Sequence, residues 1–395
     1  MTQSPVVVTG LGIVCALGDT RDGVTRALCE GRRPFAPVRR FPSAGFRVAL
    51  VAEAPSLDVR GRFGAAVARH SSRTDQLALW AAADALSHAD VAHDALGVTA
   101  LFVGASTGGM AEVEDELAQG RAPSPRACWV YPVWATARTL AQTLHLGGPQ
   151  ATYMTACSSA AHAFGQALTR LRRGDIEMAL VGGAESLARL TLAGFGSLGV
   201  LDPLGTRPFD AERAGITLGE GAAFFVLETR AHAERRGVPA LAVLAGYGGS
   251  ADAHHMVQPQ DDGAGALAAM RAALTDAGLV AGDIDYVNAH GTGTRQNDAM
   301  EARALTTLFG KRRDVAVSST KSMHGHTLGA AAAIEAATVV LGMTEGFVPP
   351  SAGVLQPTPE LGSLTLVTRA LVRAPRIALS PSFAFGGNNA ALIFA

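Results

Sequence analysis

Short apolar runs alternate along the chain with longer segments in which apolar residues recur every three to four positions. Strands are predicted at Pro5–Thr9 and Ala100–Gly104, with a helix between them at Thr74–His88, where Leu77, Trp80, Ala81 and Ala85 share a face. A helix over Tyr131–Leu144 is stopped by Gly147-Gly148-Pro149. Ala151–Met154 reads as a strand, and Ser158–Arg173 as a helix with Phe164, Ala167, Leu168 and Leu171 on one face, ended by Gly174. Strands at Met178–Val181 and Ala222–Leu227 complete this set. The order then recurs as strand Leu241–Gly246, helix Ala264–Asp276, strand Ile284–Asn288, helix Asp298–Leu308, strand Val315–Ser318, helix Thr327–Met343, and strands Ile377–Ser380 and Ala390–Phe394. Such alternation predicts mainly parallel sheets covered by helices. Its recurrence predicts an α/β protein of two duplicated βαβαβαββ halves, residues 1–235 and 236–395, stacked as five layers, α-β-α-β-α. The Pro- and Arg-rich stretch Arg32–Arg62 has weak periodicity and reads as a surface loop.

A chain of 395 residues, 48% of them hydrophobic, can bury a large core. Its formal net charge of −1 offers no basic field for nucleic acid. The most apolar helical stretch, Ala330–Met343, is too short to span a bilayer and contains Glu335, and no signal peptide opens the chain, so a soluble, cytoplasmic protein is expected. Cys15, Cys29, Cys128 and Cys157 form no CxxC pair, so neither a disulfide framework nor a zinc site is indicated.

Four segments could carry chemistry. In Thr155-Ala156-Cys157-Ser158-Ser159 a strand turns sharply into a helix, where free N–H groups and the helix dipole favour a thiolate and can hold an oxyanion. The competing reading is a small cysteine packed at a helix start. In Asn288-Ala289-His290-Gly291-Thr292-Gly293-Thr294 a histidine ends an apolar strand, where parallel sheets place ligands. The competing reading there is a satisfied core histidine. In Lys321-Ser322-Met323-His324-Gly325-His326, before a helix bearing Glu335, paired histidines invite a metal reading, but no third ligand accompanies them with zinc spacing. His324 reads as a surface or supporting residue. Phe383-Ala384-Phe385-Gly386-Gly387-Asn388-Asn389 suits an unusual turn between the last two strands, or an ordinary hairpin. All four lie after strands in the repeated pattern, so the helix starts near Cys157 and His326 would face one another.

These motifs resemble those of β-ketoacyl-acyl-carrier-protein synthases of the elongating Cys-His-His type, and the likeness runs from Val6-Val7-Val8-Thr9-Gly10 to the C-terminus. The resemblance implies a thiolase fold and an acyltransferase that condenses an acyl group on Cys157 with malonyl-acyl carrier protein. It implies that Cys157 is the nucleophile and that its N–H and that of Phe385 form the oxyanion hole. His290 and His326 would donate to the malonyl thioester carbonyl, and Lys321 with Glu335 would order the surroundings of His326. Thr292 and Thr294 would contact the pantetheine arm, and Phe385 would gate access. No metal or resident cofactor is implied, since phosphopantetheine arrives on the carrier protein.

The resemblance further implies a dimer paired through Ala151–Met154, with an identical or a related chain. A basic docking face for the acidic carrier is placed by position at Arg69 and Arg73, then Arg60 and Arg62, against the alternative of a solvated charged face. The chain departs from the family at Arg213-Ala214-Gly215-Ile216-Thr217, where Asp and Phe are usual at 214 and 216, and at Ala384 and Asn388, where Gly and Thr are usual. These departures leave fatty acid elongation and a dedicated type II polyketide or aryl-polyene-like pathway both open. A non-catalytic partner subunit that sets chain length is the alternative function. A thiolase is disfavoured because no second cysteine follows Cys157.

Overall fold

The computed structural model describes residues 4–395. Eleven strands form one continuous sheet: β1 Val6–Cys15, β2 Ala100–Gly104, β3 Gln150–Tyr153, β4 Met178–Glu185, β5 Gly221–Thr229, β6 Ala242–Ala251, β7 Tyr286–Asn288, β8 Ala316–Ser318, β9 Thr365–Leu366, β10 Ala378–Phe383 and β11 Asn388–Phe394. Their order is β9-β8-β7-β10-β11-β6-β1-β5-β4-β2-β3. The predicted pair of sheets is therefore joined at a seam, where Val6–Val8 of β1 runs antiparallel to Ala242–Leu244 of β6. On either side the succession is alike: β1-β5-β4-β2-β3 in one half is matched by β6-β11-β10-β7-β8 in the other.

Helices fill the layers the periodicity predicts. Helix α1 (Arg73–His88) starts at a reciprocal cap between Ser72 and Asp75 and lays Leu77, Ala78, Ala81 and Ala85 against the outer face of the first half, beside α2 (Ala135–Leu144). The short helix α4 (Arg230–Arg236) follows β5, and helices α5 (Ala264–Ala277) and α6 (Arg295–Phe309) cover the outer face of the second half. Between the two sheets lie α3 (Ser159–Arg173) and α7 (Ala331–Glu345), and their buried faces join strands of both halves in one apolar cluster. This is the α-β-α-β-α sandwich expected from the sequence.

Three local expectations are corrected. Pro132 cannot continue a helix, so the helix predicted at Tyr131–Leu144 starts only at Ala135, as α2, and a separate helix, Pro125–Val130, precedes it. The predicted helix Thr327–Met343 begins instead as a tight turn, Leu328–Ala330, before α7, and runs on to Glu345. The span Leu328–Glu345 is apolar and long enough to cross a membrane, yet 83% of it is buried inside the fold, as a central helix must be. The stretch Arg32–Arg62 is not plain loop. Ala36–Pro37 and Leu50–Ala52 build a small sheet with Leu218–Gly219, and Val59–Phe63 is helical.

The turns entering α3 and α7 are twins. Each is a short 3-10 turn, Ala156–Ser158 and Leu328–Ala330, whose first residue takes a left-handed backbone, φ 53° at Ala156 and 47° at Leu328. Both helix starts close over Gly183, where an added Cβ would lie 3.0 Å from the Cβ of Ala160 and 3.0 Å from the Cα of Ala330. Gly329, the middle residue of the second turn, sits so close to β2 that a Cβ there would lie 2.6 Å from the carbonyl carbon of Ala105.

Candidate active site

Cys157 occupies the middle of the first turn. The strained backbone at Ala156 is pinned by Ser159, whose Oγ donates to the Ala156 carbonyl at 2.6 Å and accepts from the Thr155 N–H at 2.9 Å. Cys157 is 5% exposed and lines a cavity of about 320 Å³. The N–H groups of Phe385 and of Cys157 itself act on it. The turn that carries Phe385 depends on left-handed Gly386 (φ 82°) and Gly387 (φ 73°), while Ala384 lies in ordinary extended backbone at φ −115°, so its methyl is accommodated without strain. The sequence-based expectation of a lowered thiol pKa is not met: burial pushes the Cys157 thiol up to about 11, against the pull of Lys321 and the two N–H groups. The resting group is a thiol.

His290 and His326 meet it from the second half. One ligating atom from each of Cys157, His290 and His326 lies within 4.8 Å of the others, and the imidazoles sit edge to face with centroids 5.5 Å apart. His290 follows β7; its N–H donates to Glu301 at 2.7 Å, and Lys321 Nζ lies 3.1 Å from its Nδ1 and 2.6 Å from its carbonyl oxygen. His326 is held between the Thr217 carbonyl, which accepts its N–H at 2.7 Å, and the Gly219 N–H, 2.9 Å from its carbonyl. The Leu328 N–H donates to His326 Nδ1 at 3.0 Å.

An ammonium and an amide only donate, so each Nδ1 is the acceptor and each Nε2 carries the hydrogen. Burial, then the charge of Lys321, pulls both imidazoles well below the ordinary value, so both are neutral. The pocket thus presents two neutral N–H donors beside one thiol. Cysteine with two histidines is also a zinc donor set, but protonated Nε2 atoms have no lone pair to give, and a buried ammonium beside them opposes a dication.

Lys321 is fully buried and paired with Glu335, also fully buried. The expectation that this pair orders the charge and hydrogen bonds around His326 is corrected in part: the charge of Lys321 does act on His326, but its hydrogen bonds go to His290, and His326 takes its tautomer from the Leu328 amide. Burial pushes Glu335 up to about 7, partly offset by Lys321. His324 is not at the surface. It is fully buried outside the cavity, between Gly325 O at 2.8 Å and Thr320 Oγ1 at 3.0 Å.

Thr292 and Thr294 line the cavity with their hydroxyls 3.0 Å apart. Phe195, Leu198, Val200 and Ile216 make its apolar arm, and Phe385 stacks on Phe195 at 5.7 Å. Arg73 is corrected as a docking residue: it is 7% exposed, bonded to Glu220 at 2.7 Å and to the carbonyls of Ala54 and Pro55. Arg62 is exposed but pairs with Asp84 at 2.6 Å, whereas Arg60 and Arg69 are exposed without an ion pair among the described residues.

Sequence reasoning missed three carboxylates. Glu301 accepts from the N–H groups of His290 and Gly291, both at 2.7 Å. Asp298 accepts from those of Thr292 at 3.0 Å and Gly293 at 3.1 Å. Their signal is an i, i+3 acid pair in the helix that follows the glycine loop. Asp252 lines the cavity and accepts from Asn389 Nδ2 at 2.6 Å, and nothing local in the sequence marks it.

The chain is similar to known proteins over nearly its whole length. Residues 3–233 match the family described as beta-ketoacyl synthase, N-terminal domain, and residues 241–355 match its C-terminal domain. The chain is 36% identical over 401 residues to nodulation protein E of Rhizobium sp. (strain N33), covering 98% of each. It is 34% identical over 411 residues to 3-oxoacyl-[acyl-carrier-protein] synthase 2 of Synechocystis sp., covering 100% of this chain and 98% of the other. A solved structure described as the ishigamide ketosynthase/chain length factor superposes with a TM-score of 0.93 at 34% identity, covering 100% of this chain and 99% of that one.

Proposed function

We infer the reaction from family and geometry together: the chain belongs to the beta-ketoacyl synthase family, and it catalyses decarboxylative condensation of an acyl group with malonyl-acyl carrier protein, in fatty acid or polyketide biosynthesis. The observation that carries this is the pair of neutral imidazole Nε2–H donors facing a cavity that also holds a cysteine sulfur. Cys157 attacks the thioester carbonyl of the incoming chain. The carrier's sulfur leaves with the cysteine proton, and the N–H groups of Cys157 and Phe385 receive the developing oxyanion. A malonyl thioester then binds with its carbonyl oxygen against His290 and His326. Carbon dioxide leaves, and the electron pair of the broken bond forms an enolate that the two N–H groups stabilise. Its carbon attacks the acyl carbonyl, and the Cys157 sulfur departs and regains a proton from solvent.

Thr292 and Thr294 receive the pantetheine arm, and Phe385 divides the two half-reactions by moving against Phe195. As written, the chemistry needs no metal or redox group. The acyl chain lies along Phe195, Val200 and Ile216. The carrier protein docks at Arg69 and Arg60. The chain works in the cytoplasm as a dimer with an identical or related subunit, added at the free edge of β3, whose neighbour Met154 is 65% exposed. The experiment is incubation with acyl-carrier protein followed by intact mass. Wild type gains one acyl group and Cys157→Ala gains none; an equal adduct on both would overturn the reading. Malonyl decarboxylation by this chain alone separates it from a non-catalytic chain-length subunit, which would show none.

A further inference from the structure

The loop that carries His290 and Thr292 rests on two props. Lys321 supports it at His290, as described. At the other end, Thr206 Oγ1 donates to the Thr292 carbonyl at 2.8 Å, and Thr206 N–H donates to Thr217 Oγ1 at 2.8 Å, next to the carbonyl that holds His326. The two props belong to segments far apart in the chain, and a single guanidinium bonds both. Arg33 Nε donates to the carbonyl of Ser322, the residue after Lys321, at 3.1 Å. Its Nη2 donates to the carbonyls of Gly205 at 3.0 Å and Thr206 at 2.9 Å.

The surroundings are built for this group. The guanidinium lies 5.2 Å from the Phe35 ring centroid, and a Cβ at Gly353 would come within 2.6 Å of its Cζ. Ser322 and Thr206 are fully buried, so the carbonyls Arg33 satisfies have no ready access to water. Arg33 makes no ion pair with a carboxylate among the described residues. Its bonds are to neutral carbonyls, which suits a planar fork of donors and not a point charge. It does not line the cavity and cannot touch substrate.

We propose that Arg33 is a positioning residue that sets the spacing between the Lys321 turn and the Thr206 strap, and through them the placement of His290 and Thr292 for malonyl decarboxylation. The proposal rests on the assignment of His290 to that step. Cys157 and its two N–H groups stand on other elements, so the reactivity of the sulfur itself does not depend on the clamp, although a pantetheine arm held at Thr292 enters in both half-reactions. Arg33→Ala therefore lowers the decarboxylation kcat roughly tenfold, in line with the cost of displacing a reacting group by a fraction of an ångström, and leaves the rate of Cys157 acylation by a small acyl thioester without the pantetheine arm within about twofold of wild type.

Arg33→Lys, with its single ammonium, does not restore three bonds and stays near the alanine variant, whereas added guanidinium ion recovers part of the loss in Arg33→Ala. Thr206→Val removes the strap's bond to Thr292 and gives the same selective defect, and the double variant is no worse than Arg33→Ala, as for residues acting through one path. Should Arg33→Ala not fold, Thr206→Val carries the test. Decarboxylation unchanged in these variants, or both half-reactions falling together in step with melting temperature, overturns the proposal. Wild type inactive in both half-reactions would instead overturn the assigned function.

Discussion

Replacing Lys321 by methionine removes three things at once: the donor to His290 Nδ1 at 3.1 Å, the donor to the His290 carbonyl at 2.6 Å, and the partner of Glu335. Without the ammonium, the His290 tautomer is no longer fixed, and the pocket loses one reliable N–H donor. Loss of one donor to a developing oxyanion costs about 2.7–4 kcal/mol, or roughly 100- to 1000-fold in rate. Breaking a buried ion pair costs about 3–5 kcal/mol of stability, but Glu335, already pushed up to about 7, takes up a proton once Lys321 is gone.

The sign follows from that direction. A carboxyl whose folded pKa lies above its unfolded one favours the fold at low pH and loses that contribution as pH rises through the folded value. The melting deficit of Lys321→Met should therefore shrink on going from pH 8 to pH 6, and Lys321→Met/Glu335→Gln should recover most of it. The assay is turnover of malonyl-carrier protein followed by mass, alongside acylation of Cys157. Decarboxylation should fall at least a hundredfold while acylation persists. A folded variant that decarboxylates within a few-fold of wild type would refute the role given to the lysine.

Imidazole nitrogen NMR should show His290 and His326 as neutral Nε2–H tautomers that do not titrate between about pH 5 and pH 8, where an ordinary histidine would. Their depressed folded values mean that their contribution to stability is full above the ordinary value and declines as pH falls below it. Arg73→Glu should cost about 3–5 kcal/mol in denaturant unfolding because it opposes buried Glu220. Arg69→Glu should leave melting unchanged and weaken carrier binding severalfold. Ile216→Phe should shift a panel of acyl donors toward shorter chains, since residue 216 lines the apolar arm; an unchanged profile would place the chain elsewhere. Met154→Arg should sediment as a monomer at micromolar concentration, and a persistent dimer would exclude pairing at β3.

The periodicity made most of the frame legible, because each outer helix buries one stripe and each sheet is buried on both faces. It also brought out the four loops that converge on the cavity, since each follows a strand. What it could not reveal depends on pairs distant in sequence. Whether Lys321 reaches His290 or His326 is decided by which carbonyl the ammonium meets. Arg73 looks like any exposed arginine until Glu220 comes to lie beside it from more than a hundred residues away. The thiol of Cys157 differs from expectation for a related reason: the helix start is local and visible, but the burial that outweighs it belongs to a site where His290, His326 and Phe385 of the opposite half close around the sulfur.

The matched turns at Ala156 and Leu328 bear on stoichiometry. Two like halves offer two strained corners, each leading into a central helix, and so two places where a reactive side chain could stand. The corner at Gly329 is closed against β2, with no volume even for a methyl group, so the second position can never be loaded. If Cys157 is the acyl acceptor as proposed, titrating the chain to saturation with an acyl donor should end at a single equivalent per protomer.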